Sequence, residues 1–490
     1  MYEYLNFKKI IGVFFIYYIY IYYKTYRKIT NKTYDIELPD IKNKNLIIED
    51  KQDKQDKFYW GVSTSSHQNE GYNQNNWTLW EIQEELEYSG MATNSWNYFE
   101  SELENLKLLG VNSYRFGIEW SRIIPEEGYV SEKSLSRYEH WCQRLIENGI
   151  EPLVTLYHFT RPTWVEIKYG GFHNNQIIPE FIHYIKVVVS RLSKYVRYWI
   201  TFNEPLMELT NGYIVGSRPP GYKDNFNYLT LALKNICDMH SKSYAIIHNI
   251  RSDSMVSIAK NLVLFKPYNT CEPLKVKIVN EIDKLYNDAI LSALITTGEL
   301  DTSFNFQFYR FGDVYYNEKF KNTMDYLAVN HYNIVNVKVS YSGNKLIDIM
   351  LSDPDSKFPK NDLNWDLCPY SMYVILKKYY EKYKLPIIIT ENGCCDNSLS
   401  KKRARNFMKQ CIYGMQMAQR EGVDIRGYYY WTLHDNFEWD DGYVPKFGLF
   451  TTDFARLKKQ IKRGDTIDKS KKINLVGKLY KKIIYYNKKL

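Results

Sequence analysis

The sequence predicts an α/β fold, a (β/α)8 TIM barrel that forms one large domain. Short runs of β-branched and aromatic residues alternate with longer helical stretches, and no stretch among them reads as a second domain. The polar segment 337–362 predicts an irregular loop over the mouth of the barrel. Predicted strands lie near 58–64, 112–119, 151–158, 197–203, 255–264, 324–331, 385–391 and 425–433. Predicted helices lie near 95–109, 133–148, 174–195, 227–249, 275–296, 369–383, 401–421 and 473–486.

Two of the predicted strands end in a glutamate. The run 385–389 leads into Glu391, and the run 198–202 leads into Glu204. Because the carboxyl ends of barrel strands meet at one face, we expect the two carboxyl groups to lie close together. A pair of carboxyl groups is what cleavage of a glycosidic bond requires, since one protonates the leaving oxygen and the other faces the anomeric carbon. Either motif alone is more typical of a turn with a solvated acid.

Composition excludes several classes of function. The 65 basic and 56 acidic residues give a formal charge of +9, concentrated towards the two ends, which favours a solvated surface over a nucleic-acid groove. The seven cysteines follow no metal-type spacing and indicate no disulfide framework. We expect no metal and no organic cofactor, because carboxyl groups can supply acid, base and nucleophile. The oligomeric state is left open.

The amino terminus carries an apolar, tyrosine-rich run at residues 10–23 with lysines on both sides. It is shorter than the roughly twenty residues of a full membrane span. We interpret residues 1–28 as a hydrophobic segment and signal anchor, 29–56 as a charged stalk and 57–490 as the barrel domain. A strand or helix packed on the barrel is the alternative. An anchor would place the barrel in the secretory lumen or outside the cell, although the free-thiol pattern also allows the cytoplasm.

Five motifs in order resemble those of family 1 glycoside hydrolases, the β-glucosidase family. The resemblance extends from about Phe58 to Phe454. The motifs are Phe58–Gly71, Tyr114–Arg122, Thr201–Pro205, Ile389–Gly393 and Tyr430–Trp439. If the resemblance holds, the protein is a retaining enzyme that removes terminal β-D-glucosyl residues, or galactosyl or fucosyl residues, from O-glycosides.

The resemblance implies a role for each carboxyl group. Glu391 would be the nucleophile and Glu204 the acid/base, with about 5–5.5 Å between the two carboxyl groups. Arg115 would hold Glu391 ionised, and Tyr332 would donate a hydrogen bond to it. Asn330 belongs to the same supporting set.

The resemblance also implies a site for the sugar. Hydroxyl groups need donors and acceptors, and the apolar faces of the ring need aromatic walls. Asn203 would hold the 2-hydroxyl, the contact that strengthens in the transition state. The positions that match the family's sugar-binding residues are Gln68, His158, Asn203, Trp431, Glu438, Trp439 and Phe447.

The chain departs from the family pattern at three places. Phe159 follows His158 where a tryptophan is frequent, and Thr160–Arg161 replace an acidic and an aliphatic residue. The closing segment of the family is only loosely matched by Arg456–Lys459. The branch of the family that acts on phosphorylated sugars has a serine and lysine set near Glu438. The carboxylate here is expected to repel a 6-phosphate and to favour unphosphorylated glycosides.

Three other functions remain open on the sequence. The same site could act as a transglycosidase in which an acceptor alcohol replaces water. The barrel could be a catalytically silent sugar-binding module, which the presence of both glutamates disfavours. A membrane or structural role led by residues 10–23 is the third.

Overall fold

The computed structural model of the protein describes residues 58–268, 272–306, 309–339, 347–350 and 353–487. The expected hydrophobic segment 1–28, with its run at 10–23, and the stalk 29–56 lie outside the described residues. Within the ranges that are described, no helix is long and apolar enough to cross a membrane.

Eight parallel strands form a closed barrel, in which each strand pairs with its neighbours in the chain and the last pairs with the first. All eight predicted strands are confirmed as barrel strands. Their bounds are β1 Tyr59–Ser63, β2 Ser113–Gly117, β3 Glu151–Thr155, β4 Tyr198–Asn203, β5 Met255–Asn261, β6 Leu327–Asn330, β7 Ile387–Asn392 and β8 Ile425–Trp431.

Eight principal helices follow the strands, as predicted. The predicted stretch 275–296 differs in being interrupted, because wider π-type turns at Lys284–Asp288 and Ala293–Thr297 flank the short helix Ala289–Ser292. The principal helices are α1 Ser95–Leu109, α2 Glu132–Glu147, α3 Ile177–Leu192, α4 Phe226–Ile250, α5 Pro273–Asp283, α6 Tyr370–Tyr383, α7 Lys402–Arg420 and α8 Leu475–Asn487.

Shorter elements fill the connections between the strands and the principal helices. The helical ones are Ser66–Glu70, Asn76–Gln83, Trp120–Ile123, Thr163–Tyr169, Pro205–Leu209, Thr210–Val215, Glu318–Phe320, Trp439–Asp441 and Phe454–Arg463. The strands outside the barrel are Leu264–Pro267, Glu299–Asp301, Phe304–Phe306, Tyr309–Phe311, Val314–Tyr316, Ile334–Val339, Ile347–Met350, Phe450–Thr452 and Lys471–Ile473.

The prediction of an irregular loop over 337–362 was wrong for part of that segment. Ile334–Val339 pairs antiparallel with Ile347–Met350 and parallel with Leu264–Pro267, which makes a three-stranded sheet outside the barrel. The physical reason is the alternation of apolar residues in the first strand, which buries one face against α5 and outweighs the polar composition. The buried residues of that face are Val335, Val337 and Val339.

The barrel interior is apolar over much of its length and polar at the carboxyl ends of the strands. Leu153, Ile200 and Ile388 belong to a cluster of fully buried side chains that fills the interior. At the carboxyl end, by contrast, buried polar side chains such as Arg115 and Asn330 take over. The fold thereby places its functional groups on a rigid apolar base.

The seam between the first and last strands is covered by the carboxyl-terminal helix α8. The hydroxyl of Tyr480 lies 2.7 Å from the carbonyl oxygen of Gly61 in β1 and 3.1 Å from that of Tyr428 in β8. Tyr480 is fully buried. A side chain from outside the barrel thus contacts both strands that close it.

Gly393 lies directly after β7, where the backbone of β8 comes too close for any side chain. A Cβ there would lie 2.1 Å from the carbonyl oxygen of Trp431. We expect Gly393→Ala to lower the free energy of unfolding by about 2 kcal/mol, the typical cost of overpacking, measured as a fall in the midpoint of thermal unfolding.

Gly414 in α7 is the matched control for this substitution. A Cβ there meets its nearest neighbour at 3.4 Å, an ordinary contact. Gly414→Ala should leave the midpoint unchanged or raise it, because alanine favours helix over glycine by about 1 kcal/mol. Equal midpoints for the two variants would contradict the proposed crowding at Gly393.

Candidate active site

Glu204 and Glu391 both line one cavity of about 970 Å³ at the carboxyl end of the barrel. Glu391 lies in β7. Glu204 follows β4 and caps the short helix Pro205–Leu209 with a left-handed backbone, at φ 42°. Both residues are almost wholly buried, since only 7% of Glu204 and 4% of Glu391 is exposed. The two predicted carboxyl groups therefore share one secluded space.

One asparagine side chain joins the hydrogen-bond networks of the two carboxyl groups. Arg115 donates to Glu391 Oε1 at 2.5 Å and to Asn203 Oδ1 at 2.7 Å. Asn330 Nδ2 donates to Glu204 Oε1 at 2.7 Å and to Asn203 Oδ1 at 3.1 Å. The Asn203 amide oxygen accepts from both, which fixes the orientation of the amide. The predicted supporting residues Arg115 and Asn330 thus contact the glutamates as expected.

Glu391 lies among hydrogen-bond donors. Besides the ion pair with the fully buried Arg115, it accepts a hydrogen bond of 2.5 Å from the Tyr332 hydroxyl. Burial and the nearby charges of Glu391 and Glu204 hold the pKa of Tyr332 well above its usual range, so the phenol keeps its proton. Both oxygens of the Glu391 carboxyl group thus accept a hydrogen bond from a buried donor.

Glu204 lies in different electrostatic surroundings. Burial, together with the negative charge of Glu391, raises its pKa to about 7, although Asn330, Lys260 and Arg115 act in the opposite direction. A large fraction of the Glu204 carboxyl group is consequently protonated at neutral pH. Glu204 can therefore act as a proton donor near neutral pH.

The predicted sugar-binding residues come together beside Glu391. Asn203 Nδ2 donates to His158 Nε2 at 3.1 Å. Burial lowers the pKa of His158 well below its usual range, so the ring is neutral and its proton must be on Nδ1. Nδ1 is buried and has no partner among the described protein atoms. The His158 ring stacks against Trp431 and Trp439, at 6.0 and 6.1 Å between centroids.

The remaining predicted sugar-binding residues, Gln68, Glu438 and Phe447, lie at the far wall of the site, which is the part around Glu438. Gln68 Nε2 donates to the carbonyl oxygen of Phe437 at 2.7 Å and to Glu438 Oε2 at 3.2 Å. Burial and then Asp441 raise the pKa of Glu438 to about 8. Phe447 belongs to a hydrophobic cluster with Trp431. All the predicted sugar-binding residues except Gln68 line the cavity directly, and Gln68 contacts it through Glu438.

Sequence reasoning missed several residues of this cavity. Asn261 at the end of β5 lies 3.5 Å from Glu204 Oε2, but the predicted strand extended to residue 264 and left Asn261 inside it. Trp365 packs on Phe447, at 6.2 Å between centroids, but it lies just beyond the segment predicted as a loop. Arg218, which pairs with Asp440 at 3.1 Å, had no motif to mark it.

The family model described as glycosyl hydrolase family 1 matches residues 51–488. The chain belongs to glycosyl hydrolase family 1. It is a β-glucosidase-like glycoside hydrolase, and the (β/α)8 barrel agrees with that membership.

The proteins similar to this chain include both a beta-glucosidase and a 6-phospho-beta-galactosidase. Beta-glucosidase A of Thermotoga maritima is 29% identical over 431 residues, which cover 83% of this chain and 94% of that protein. The 6-phospho-beta-galactosidase of Clostridium acetobutylicum is 26% identical over 453 residues, which cover 83% and 94%. The solved structure of a beta-glycosidase from Pyrococcus horikoshii has a TM-score of 0.75 at 30% identity, over 87% of this chain and 93% of that one.

The departure from the family pattern at Arg161 has a structural reason. The guanidinium is fully buried and pairs with Glu166 and, at 3.1 Å, with Glu208. Tyr157 donates to the same Glu208 oxygen at 2.7 Å. Because Glu208 lies on the short helix capped by Glu204, Arg161 anchors that helix from behind without entering the cavity.

Lys260 is a buried cation behind Glu204 that the sequence did not single out. Its ammonium donates to the carbonyl oxygen of Asn261 at 2.5 Å and lies 4.2 Å from the ring centre of Tyr286. Burial lowers the pKa of Lys260 to about 7, and the charges of Glu204 and Asp283 oppose that shift. The charged fraction of Lys260 in turn lowers the pKa of Glu204.

Lys260→Met should raise the pKa of Glu204, because it removes a positive charge that favours the carboxylate. The measurement is an infrared titration of the protonated carboxyl band, assigned to Glu204 by its loss in Glu204→Gln. Lys338→Met, at an exposed lysine outside the barrel, should leave the titration unchanged. An unshifted or lowered Glu204 pKa in Lys260→Met would contradict the coupling.

Proposed function

We propose that this family 1 enzyme is a retaining β-glycosidase that hydrolyses terminal non-reducing β-D-glucosyl residues of O-glycosides through a covalent glycosyl-enzyme intermediate. Galactosyl or fucosyl residues fit the same chemistry. The observation that carries the proposal is the difference between the two buried carboxyl groups. Glu391 is held by Arg115 and Tyr332, whereas the pKa of Glu204 is raised to about 7.

In the first half-reaction Glu391 attacks the anomeric carbon and forms an ester with the sugar. The bond between that carbon and the leaving oxygen breaks, and its electron pair goes to the oxygen. Glu204 gives its proton to this oxygen, so that a neutral alcohol leaves. The raised pKa of Glu204 supplies the protonated form that this step needs.

In the second half-reaction water replaces the alcohol. Formation of the ester removes the negative charge of Glu391, which had helped to raise the pKa of Glu204. Glu204 is then the stronger acid and its carboxylate accepts a proton from water. The water oxygen attacks the anomeric carbon, the ester bond breaks, and Glu391 is released as a carboxylate. Two inversions at one carbon give net retention.

The expected separation of about 5–5.5 Å between the carboxyl groups remains a prediction. It is supported by the short hydrogen-bond path from Glu391 through Arg115, Asn203 and Asn330 to Glu204. The same path supports Asn203 as the partner of the sugar 2-hydroxyl. A bond there that strengthens in the transition state would lower the barrier directly.

An unphosphorylated sugar suits the far wall of the site. Burial raises the pKa of Glu438 to about 8, and the negative charges of Asp441 and Glu391 add to that shift. The positive charge of Arg218 acts on Glu438 but is already paired with Asp440. A 6-phosphate beside Glu438 would add to the negative charge and meet no free cation among these residues.

A mechanism-based label tests this proposal. Incubation with a 2-deoxy-2-fluoroglucoside that has a good leaving group should leave a stable ester on the peptide that carries Glu391, detected by mass spectrometry. The protein should hydrolyse p-nitrophenyl β-glucoside, and Glu391→Ala should lose both activity and label. A folded protein that neither turns over this glycoside nor accepts the label would support a silent sugar-binding module.

Glu204→Gln should affect glycosides according to their leaving groups. Cleavage of an alkyl glucoside should fall by roughly 10³-fold, because a poor leaving group needs the proton, and the first step with a dinitrophenyl glucoside should fall far less. The variant should also lose the decline in kcat/KM above about pH 7 that deprotonation of Glu204 produces. Equal losses on both substrates would argue against Glu204 as the acid.

A further inference from the structure

The cavity extends well beyond the residues expected to bind the sugar. Its volume of about 970 Å³ lies at the upper end of the range for small-molecule sites. Beyond Glu204 its walls are mainly aliphatic and aromatic. We call this part the apolar chamber and define it by six of its residues, Leu206, Met207, Val263, Phe265, Ile282 and Leu285.

The apolar chamber lies on the leaving-group side of the site. Leu206 and Met207 follow Glu204 directly on the short helix, and Val263 follows β5, whose last residue Asn261 contacts Glu204. In the proposed function Glu204 protonates the leaving oxygen. Whatever is attached to that oxygen must therefore extend past Glu204 into the apolar chamber.

A sugar as leaving group would find few partners there. Each of its hydroxyl groups would lose water and would need a hydrogen bond in return. Of the polar side chains on this side, Asn211 already donates to the carbonyl oxygen of Met207 at 3.0 Å and Arg218 is paired with Asp440. An apolar group carries no such cost and gains from leaving water.

We propose that the leaving group of the preferred substrate is a bulky apolar alcohol rather than a second sugar. This rests on the proposed function, which supplies the orientation of the substrate. The feature that such leaving groups share is a hydrocarbon of several carbons attached to the glycosidic oxygen. A flexible alkyl chain and a fused ring system both meet this description, and ligands of each type distinguish them.

Binding is the first test, because it does not depend on turnover. Octyl, 2-naphthyl and methyl 1-thio-β-D-glucosides and thiocellobiose are titrated calorimetrically into full-length Glu391→Ala, with the octyl ligand below its micelle concentration. Burial of a methylene favours binding about fourfold, and ordering of the chain takes back part of this gain. We expect the octyl or the naphthyl ligand, or both, to bind about 100-fold more tightly than the methyl ligand.

Two outcomes of this titration would overturn the proposal. One is that neither the octyl nor the naphthyl ligand binds better than the methyl one. The other is that thiocellobiose binds as tightly as the better of the two apolar ligands. Octyl α-D-glucoside, which carries the same chain on the opposite anomer, is the control. It should bind at least tenfold more weakly than the β-linked octyl ligand. Equal binding would overturn the assignment, because it would show that the octyl chain adsorbs to the protein as a detergent.

Variants locate the effect in the apolar chamber. Ile282 and Leu285 are half-buried, so glutamine at both positions is compatible with folding. The double variant Ile282→Gln/Leu285→Gln should lose about tenfold in affinity for the better apolar ligand and keep its affinity for the methyl ligand. Ile246→Gln changes a half-buried isoleucine of α4 outside the cavity and should change neither. An equal loss for both ligands in the double variant would overturn the location.

Hydrolysis separates a failure of this inference from a failure of the proposed function. The native protein is assayed on p-nitrophenyl β-glucoside, octyl β-glucoside and cellobiose. Turnover of the aryl glucoside with cellobiose preferred over octyl glucoside in kcat/KM would overturn the inference alone. Tight octyl binding without turnover of any glycoside would overturn the proposed function and leave the apolar site standing.

Discussion

The active site depends on one buried cation at the centre of the barrel mouth. Arg115 is fully buried and its guanidinium contacts residues from three other strands, Thr155 of β3 at 3.0 Å, Asn203 of β4 and Glu391 of β7. A charge buried this deeply is unfavourable unless it is paired and fully hydrogen-bonded. Removal of either Arg115 or Glu391 would leave the other charge buried and unbalanced. The same pair joins the ends of β2 and β7 at the mouth of the barrel.

The division of labour between the carboxyl groups follows from position in the barrel. Glu391 lies within a strand and receives Arg115. Glu204 lies one residue beyond its strand, in a left-handed conformation that is unfavourable for a residue with a side chain. The short helix that it caps is held from behind by the pair between Arg161 and Glu208. Glu204 thus occupies a strained backbone position that the surrounding contacts maintain.

The sequence predicted the barrel and the approach of Glu204 to Glu391 because both leave local signals. Buried strands are short β-branched runs, and functional carboxyl groups lie at their ends. Lys260 was missed because a lysine in a strand usually faces solvent, and only the packing of Tyr286 around it shows that it is buried. The apolar chamber left no motif, since residues such as Met207, Val263 and Ile282 come from segments far apart in the chain. These residues come together only through the way the strands are connected in the fold, and no single segment of the sequence predicts that.

The seam sealed by Tyr480 bears on how the protein can be made. β1 begins at Tyr59, whereas its neighbour β8 begins at Ile425 and the tyrosine that contacts both comes later still. During synthesis the early strands must wait, with one edge unpaired, until most of the polypeptide has left the ribosome. Such long-range pairing slows folding and exposes strand edges to self-association. The nascent chain is consequently a natural client for molecular chaperones, and recombinant yield should depend on the speed of translation as much as on the stability of the finished barrel.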